Sequence, residues 1–533
     1  MNMLTNLRTN KLKKMTYRQY IIPFVLMLLT VFAACTDDHL TDTTGNESVP
    51  VGQEVYVSLT VAAEDASRSR AVRSPQPGED GDGTEPGIGD ENVIADLNVF
   101  FFDAGGDETG YRPGINASAT TADATPVITF YTDKLLTVTL SDSGTGYTTG
   151  SRNLTDMGIN LEMGKTYDVL VLANYGADYG KEYKTANNGK ELMLATLRDA
   201  VIEAEPTTDD EGISVIASST SRIIREGKFL MASADPASIT VTPGTSITPA
   251  TANVTLERLA ARVDYHVLPE YTPTQNGQDK VKITGAVLCN DYAAEEYLFK
   301  RVTGRISLSE GWSEDIYYLG DETALNDGIA SNYVLDPKTA SADKDGDADF
   351  LRYYTNHNMT DEEDWKELTP DNSETYYTLG YTRENVSRVT GNDRPTTALC
   401  VVFRAEYIPT EIKGTKPDDY SGTFYWYNNQ AYYTLNAVID ANSATVPSTV
   451  TDFTLTDYGI HKYNNGICYY TYYIRHTDDG DTETESPMEH ATVRNNIYRL
   501  DVQSVSGPGG SGDIVVTVTL VDWREDINVY PDF

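Results

Sequence analysis

The cysteines carry the most reactive chemistry in this chain, and their spacing limits what they can do. Cys289, Cys400 and Cys468 sit in AVLCN, ALCVVF and GICYYTYY, all apolar and strand-like surroundings. None forms a CxxC or another metal-ligand spacing. Three is an odd number, so not all can pair internally, and they read as small buried hydrophobes. Cys35 differs, since it directly follows Ala33-Ala34 at the end of an apolar run. Arg68, Arg70 and Arg73 cluster in SRSRAVR, followed by a stretch at 74–92 rich in Pro, Gly, Asp and Glu. An exposed, basic, flexible segment of this kind is where proteases cut. Gly507-Pro508-Gly509-Gly510-Ser511-Gly512 formally matches GxGxxG, but a dinucleotide site needs a helix after it, and 514–520 reads as a strand. Asp343, Asp345, Asp347 and Asp349 alternate as in a calcium loop. The sixth and twelfth places, which want Gly and Glu, hold Ala348 and Tyr354. A solvated acidic loop is the expectation; no cofactor or metal is expected, and weak calcium binding at this or another acidic loop stays open. The six histidines (His39, His266, His357, His461, His476, His490) show no clustered spacing. Paired carboxylates abound only because acids do, so nothing specifies catalysis and no enzyme is expected.

The elements that position these residues begin with an address. Residues 1–34 hold Arg8, Lys11, Lys13, Lys14 and Arg18 and no acid, then an apolar run from 21 to 32. A basic start, a short apolar core and small residues before the cut make a secretory signal. At about a dozen residues the run is too short to span a bilayer comfortably. Cys35 after Ala-Ala resembles a bacterial lipobox, although Phe32 stands where Leu is usual; the alternative is an ordinary signal peptide with a chance cysteine. The protein is therefore exported, and residues after Cys35 suit a tether.

Balance is the unusual feature of the composition: 80 acidic residues against 41 basic give −39. Such a surface repels the phosphate backbone, so nucleic acid is excluded as a partner. It also keeps the chain soluble. Hydrophobic residues at 40% supply real cores, and 36 Tyr are too many for a disordered acidic chain. Tyr and Thr enrichment favours strands.

Along the chain, 54–63 alternates Val55, Val57, Leu59 and Val61 against Tyr56, Ser58 and Thr60, a period-two strand with one apolar face. Strands are expected at 93–103, 128–131, 135–140, 167–174, 229–232, 239–242, 281–289, 297–306, 376–381, 398–407, 423–427, 431–439, 468–475, 496–505 and 514–523; at 254–267 the composition allows a helix, but the flanking Thr and Val favour a strand. The nearly continuous apolar run at 167–174 reads as buried on both faces. The best helix is 191–204, with Leu192, Leu194, Leu197, Val201 and Ile202 near one face. Long polar loops, including 321–350 and 477–487, lie between. Many strands, turn signals and one or two short helices mean a mostly β fold of β-sandwiches.

The strand pattern, with VRNNIY (493–498) and the tryptophan-containing strand 516–523, resembles the fimbrillin superfamily of Bacteroidales type V pilins, most of all the short-fimbria major subunit. YDVLVLAN (167–174), ERLAARV (257–263), ENV (384–386) before TTALCVVFRAEY, and GTFYWY (422–427) support it in the same order. The resemblance implies two transthyretin-like Greek-key sandwiches, at 74–250 and 251–533, after a signal peptide (1–34) and a propeptide (35–73). It implies a lipid on Cys35, giving a transient outer-membrane anchor, and a cut by an arginine-specific protease after Arg68, Arg70 or Arg73. The cut removes the strand bearing Val55, Val57, Leu59 and Val61. The emptied groove then takes a donor strand from another copy or another pilus subunit. Here the donor would be 514–533, with Val516, Val518, Leu520 and Trp523. Burying about five aliphatic side chains at roughly 1.5–3 kcal/mol each gives on the order of 10 kcal/mol before ordering costs.

The leading expectation is a surface fimbria shaft subunit with an adhesive role toward host or bacterial receptors. Alternatives are a tip or accessory pilin, and a lipid-anchored glycan-binding module suggested by the Tyr and Trp content. The last strand could also simply complete its own domain.

Overall fold

The computed structural model describes residues 55–63, 84–103, 125–139, 145–154, 156–198, 200–203, 206–208, 214–216, 222–225, 227–233, 237–289, 295–299, 305–306, 316–317, 365–373, 375–384, 399–476, 490, 492–510 and 514–524. Alternating and continuous apolar runs in these segments fold into a mostly β architecture of several sheets. Ten strands form the first sheet. Its main path runs Ile128–Thr132, Leu97–Phe102, Thr166–Ala173, Met231–Ser233, Ala250–Arg258, Tyr56–Ala63, Thr145–Thr148, Leu136–Thr139. Ala237–Thr240 adds to Thr166–Ala173, and Arg152–Asn153 adds to Tyr56–Ala63. Leu97–Phe102 (LNVFFF) is buried at every position, and so is Val169 to Ala173, as a run covered on both faces should be. Together they centre the first core.

The chain then changes sheets abruptly. Ala250–Arg258 belongs to the first sheet and Ala260–His266 to the second, with Leu259 alone between them. The expected single strand at 254–267 is thus two. The second sheet runs Thr84–Pro86, Ile514–Arg524, Asn496–Val505, Ala260–His266, Tyr377–Arg383. A four-stranded sheet, Lys366–Glu367, Lys280–Cys289, Cys400–Ile408, Ile467–Tyr473, shares a core with it. Val263, Tyr265, Val281, Phe403, Tyr470, Tyr498 and Leu500 interlock there. A small sheet that includes Phe424–Tyr427 and Gln430–Tyr432 packs with the helix Leu435–Ala441 around a satellite core of Val438, Val446 and Ile460.

Two local expectations are corrected. The helix at 191–204 stops early: Leu194–Arg198 is helical, and Val201–Glu203 is a strand paired with Glu295–Tyr297. The β-branched pair Val201-Ile202 suits a ladder better than a helical turn. The strand at 431–439 ends at Tyr432 and gives way to the helix Leu435–Ala441. Thr434 caps that helix, its side chain accepting from Ala437 N (3.1 Å), a signal that the apolar run concealed. A further helix, Tyr179–Ala186, starts at Asp178, whose carboxylate accepts from Lys181 N.

Candidate functional site: the groove of the first strand

Alternation at 55–61 gives the first strand a buried face. Val57, Leu59 and Val61 are essentially inaccessible and Val55 nearly so, whereas Tyr56, Ser58 and Thr60 are half-buried. Both backbone edges are occupied. On one side the strand runs parallel to Ala250–Arg258, from Val57 opposite Ala250 to Ala63 opposite Leu256. It is the one parallel pairing among the described strands of that sheet; every other is antiparallel. On the other side Thr60 and Val61 face Thr148 and Tyr147, and Tyr56 and Val57 face Asn153 and Arg152. Thr149 N donates to Leu59 O (3.0 Å), Leu59 N donates to Thr149 Oγ1 (3.1 Å), and Leu154 N donates to Val55 O (3.0 Å). An amino-terminal segment therefore fills a slot in the middle of a sheet. Burial of its four aliphatic side chains is worth on the order of 10 kcal/mol. Taking it out leaves a groove with unpaired N–H and C=O groups on both walls and an open core below.

The last strand, Ile514–Arg524, lies in the other sandwich. It pairs antiparallel with Asn496–Val505 from Ile514 opposite Val505 to Asp522 opposite Asn496, with a bulge between Val502 and Ser504. Val516 faces Val502 and is half-buried against the second core; Val518 faces Leu500, and Leu520 faces Tyr498. Trp523 pairs with Glu85 of Thr84–Pro86, which touches only the end of the strand. Along 514–521 its outer edge has no strand partner among the described residues, so it is an edge strand over most of its length. The structure does not bring the first and last strands together. Cys35, Arg68, Arg70, Arg73 and the Asp343 to Asp349 ladder lie outside the described residues.

VRNNIY turns out to be the joint between the sandwiches. The Arg494 side chain is 0% exposed and reaches Glu384 Oε2 (2.7 Å), Glu296 Oε1 (3.4 Å) and Glu257 Oε1 (3.9 Å). Its Nη2 donates to Tyr297 O (2.7 Å) and its Nη1 to Leu298 O (3.3 Å). Burial alone would favour the neutral form, but the Glu384, Glu296 and Glu257 carboxylates outweigh it and push the guanidinium pKa up. Asn495 sits at φ 58, a left-handed position that asparagine tolerates. Its Oδ1 accepts from Arg258 N (3.2 Å) and Nη1 (3.1 Å), and its own N donates to Ala260 O (2.8 Å). Arg258 Nε donates to Glu91 O (3.0 Å), and its Nη2 donates to Asn92 Oδ1. Arg262 Nη1 meets Glu91 Oε2 (3.1 Å) and Nη2 meets Asp264 Oδ2 (3.0 Å), while the Tyr381 hydroxyl donates to Glu91 Oε1 (2.6 Å). Burial, and then that bond to Glu91, raises the Tyr381 pKa. Glu91 and Glu296 carry no sequence signal of their own; Glu384 opens the ENV motif, and ERLAARV supplies Glu257, Arg258 and Arg262, but neither motif announces a buried ion pair. A single-residue crossing between sheets, at Leu259, is thereby clamped by buried ion pairs on both sides.

The described part of the glycine-rich segment, 507–510, follows the strand Asn496–Val505 and is not helical. Gly509 packs so closely that a Cβ there would stand 2.1 Å from Tyr469 O. The Tyr463 hydroxyl donates to Gly509 O (2.9 Å) and the Tyr470 hydroxyl to Gly507 O (2.6 Å). These glycines serve packing. Among the described residues no group of three or more His, Cys, Asp or Glu side chains could hold a metal ion, and no helix is long and apolar enough to cross a membrane. Cys400 and Cys468 are buried and Cys289 half-buried; Cys468 faces Ala405, and Cys289 faces Cys400.

Two family models match the chain. Residues 56–258 match the major fimbrial subunit protein FimA, and residues 461–525 match the carboxy-terminal region of fimbrillin, described as a major fimbrial subunit protein type IV. No curated protein matches. Among solved structures, the chain is similar to a fimbrilin (FimA) from Porphyromonas gingivalis (12% identity, 89% of this chain and 99% of that one, TM-score 0.35). It is also similar to the tip fimbrial protein Mfa3 from Porphyromonas gingivalis (11%, 88% and 100%, 0.31). A third is a fimbrial assembly protein from Parabacteroides distasonis (11%, 88% and 98%, 0.32).

Proposed function

We propose that this chain, a fimbrial subunit of the fimbrillin family, is the shaft subunit of a surface fimbria and polymerises by exchange of its first strand. It is exported with a lipid on Cys35, which holds the precursor at the outer membrane. A protease that reads arginine cuts after Arg68, Arg70 or Arg73 and releases the leader together with the first strand. The vacated groove then accepts 514–533 from another copy. Each subunit donates and receives, so the contact is heterologous and the product is an open filament. The filament serves adhesion, with receptors on host or bacterial surfaces.

The observation that carries this reading is the position of the first strand. It is central in its sheet, bound on both edges and buried on one face, yet it lies early in the sequence and ends at Ala63, shortly before the Arg cluster. Cleavage there converts a satisfied sheet into one with a strong demand for a strand, the condition for strand addition. The edge position of Ile514–Arg524 supports its role as donor, because peeling an edge strand breaks one ladder rather than two. A tip or accessory position is the second reading, favoured by the full pairing of that strand with Asn496–Val505, since a tip subunit receives a strand and need not donate one. The cleaved full-length chain separates the readings: a shaft subunit should polymerise with itself, and a tip subunit should stay monomeric. A chain ending at Gly512 tests the tail: it should be cut by the protease and remain monomeric, and polymers of it would remove the tail as donor.

A further inference from the structure

Lys280–Cys289 and Cys400–Ile408 are antiparallel neighbours, and Cys289 and Cys400 form the last rung of their ladder. Residues directly opposite on antiparallel strands put their side chains on the same face, with Cα atoms about 4.5 or 5.5 Å apart depending on the phase of the ladder. Both separations fall in the range of roughly 4.4–6.8 Å that a disulfide bridges without backbone movement. The two thiols share one satellite cluster with Val287, Val402, Trp365 and Tyr473, on the face of the sheet away from the main core. The register explains this company, since Val287 faces Val402 two residues earlier and Tyr473 faces Cys400 from the third strand. The Cys400 thiol holds its proton through a hydrogen bond to Cys289, and burial adds to the effect, so its pKa is raised. Cys400 is buried and Cys289 half-buried, so a reagent reaches Cys289 first.

We propose that Cys289 and Cys400 are a redox-active pair that a small organic disulfide, such as oxidised glutathione, converts into a cross-strand disulfide. The Cys289 thiolate attacks one sulfur of the organic disulfide. An S–S bond forms to Cys289, the reagent's own S–S bond breaks, and one small thiolate leaves and takes up the proton that Cys289 has lost. Cys400 Sγ then attacks Cys289 Sγ, forming the protein disulfide and expelling the second small thiolate, which takes up the Cys400 proton. The dithiol loses two electrons and two protons, and the organic disulfide becomes two thiols. Cys468, opposite Ala405 and buried in the main core, takes no part.

The bond would staple the two ends of the acidic excursion 290–399. That excursion supplies Glu295–Tyr297, which pairs with Val201–Glu203, and Tyr377–Arg383, which pairs with Ala260–His266. It also supplies Glu296 and Glu384 to the Arg494 joint. The staple would hold the segment that clamps the sandwiches together, whether or not the chain polymerises.

The test is a linkage map. The purified full-length chain is incubated with oxidised glutathione, unfolded, alkylated and digested without reduction, and its peptides are weighed. The proposal expects one peptide pair joined through Cys289 and Cys400, two hydrogens lighter than the separate thiol peptides, with Cys468 alkylated. In Cys400→Ser the glutathione should stay on Cys289, trapped for want of the resolving thiol. Alkylation of both Cys289 and Cys400 in the unsubstituted chain would overturn the proposal. So would glutathione remaining on its Cys289, or a linkage through Cys468. If Cys400→Ser fails to fold, the map of the unsubstituted chain decides alone.

Discussion

Leu59→Ala separates a strand that merely stabilises the precursor from one that is discarded. Leu59 is 0% exposed, lies in the middle of the first strand, and has its amide and carbonyl bonded to Thr149. Truncating a leucine in such a core costs about 2–5 kcal/mol, and a central strand with paired edges collapses poorly around the cavity, so about 3 kcal/mol is expected. For a domain of about 150–250 residues each kcal/mol moves Tm by roughly 2–4 °C, so the precursor should melt roughly 6–12 °C lower. On the proposed exchange the polymer differs: residue 59 would leave with the first strand, and fimbriae assembled from Leu59→Ala chains should dissociate at the same temperature as unsubstituted ones. Calorimetry on the precursor and heated-gel dissociation of the polymer give the two numbers. A polymer weakened as much as the precursor would mean the strand is retained, and the exchange argument would be refuted.

Three further outcomes follow from the geometry. Arg494→Met leaves Glu257, Glu296 and Glu384 facing one another without their cation, and should cost about 3–5 kcal/mol, read as a lower urea midpoint; an unchanged midpoint would deny the joint its role. Burial pushes the Tyr179 pKa up to about 12 and raises those of Tyr271, Tyr407 and Tyr470 as well. Their contribution to stability is complete below the unfolded value near 10 and is lost as pH rises from there through the folded values, so stability should fall above about pH 10, with part of the phenolate signal delayed until unfolding; a full phenolate signal from the folded chain near pH 10 would contradict the burial. Gly509→Ala drives a Cβ into the Tyr469 carbonyl and should destabilise the second sandwich by about 1–3 kcal/mol, seen as a lower denaturant midpoint, without creating or removing any ligand site.

Local pattern carried much of the fold into the sequence. The alternation of Val55, Val57, Leu59 and Val61 announced a strand with one buried face, and the continuous YDVLVLA run announced one covered on both. Pairing was not legible in this way. The first strand's neighbour, Ala250–Arg258, is nearly two hundred residues away, and nothing local in either strand encodes a parallel match. The helix Leu435–Ala441 was hidden because an apolar run of that length fits either period, and only the Thr434 cap distinguishes them. Buried charge was the least legible feature of all. Arg494, Glu257, Glu296 and Glu384 look like surface residues in a chain this acidic, and only their convergence shows them as the clamp between the sandwiches. Cys289 and Cys400 likewise declare themselves only through register, a long-range property that cysteine spacing does not contain.

Intact mass and gel migration of the purified precursor, before and after treatment with an arginine-specific protease, decide whether the first strand is discarded and replaced. Strand exchange requires a single cut after Arg68, Arg70 or Arg73, loss of the fragment containing the first strand, and a ladder of multimers that strong denaturant disperses. A clean cut that leaves only monomer, or a fragment that stays bound through native separation, would contradict it.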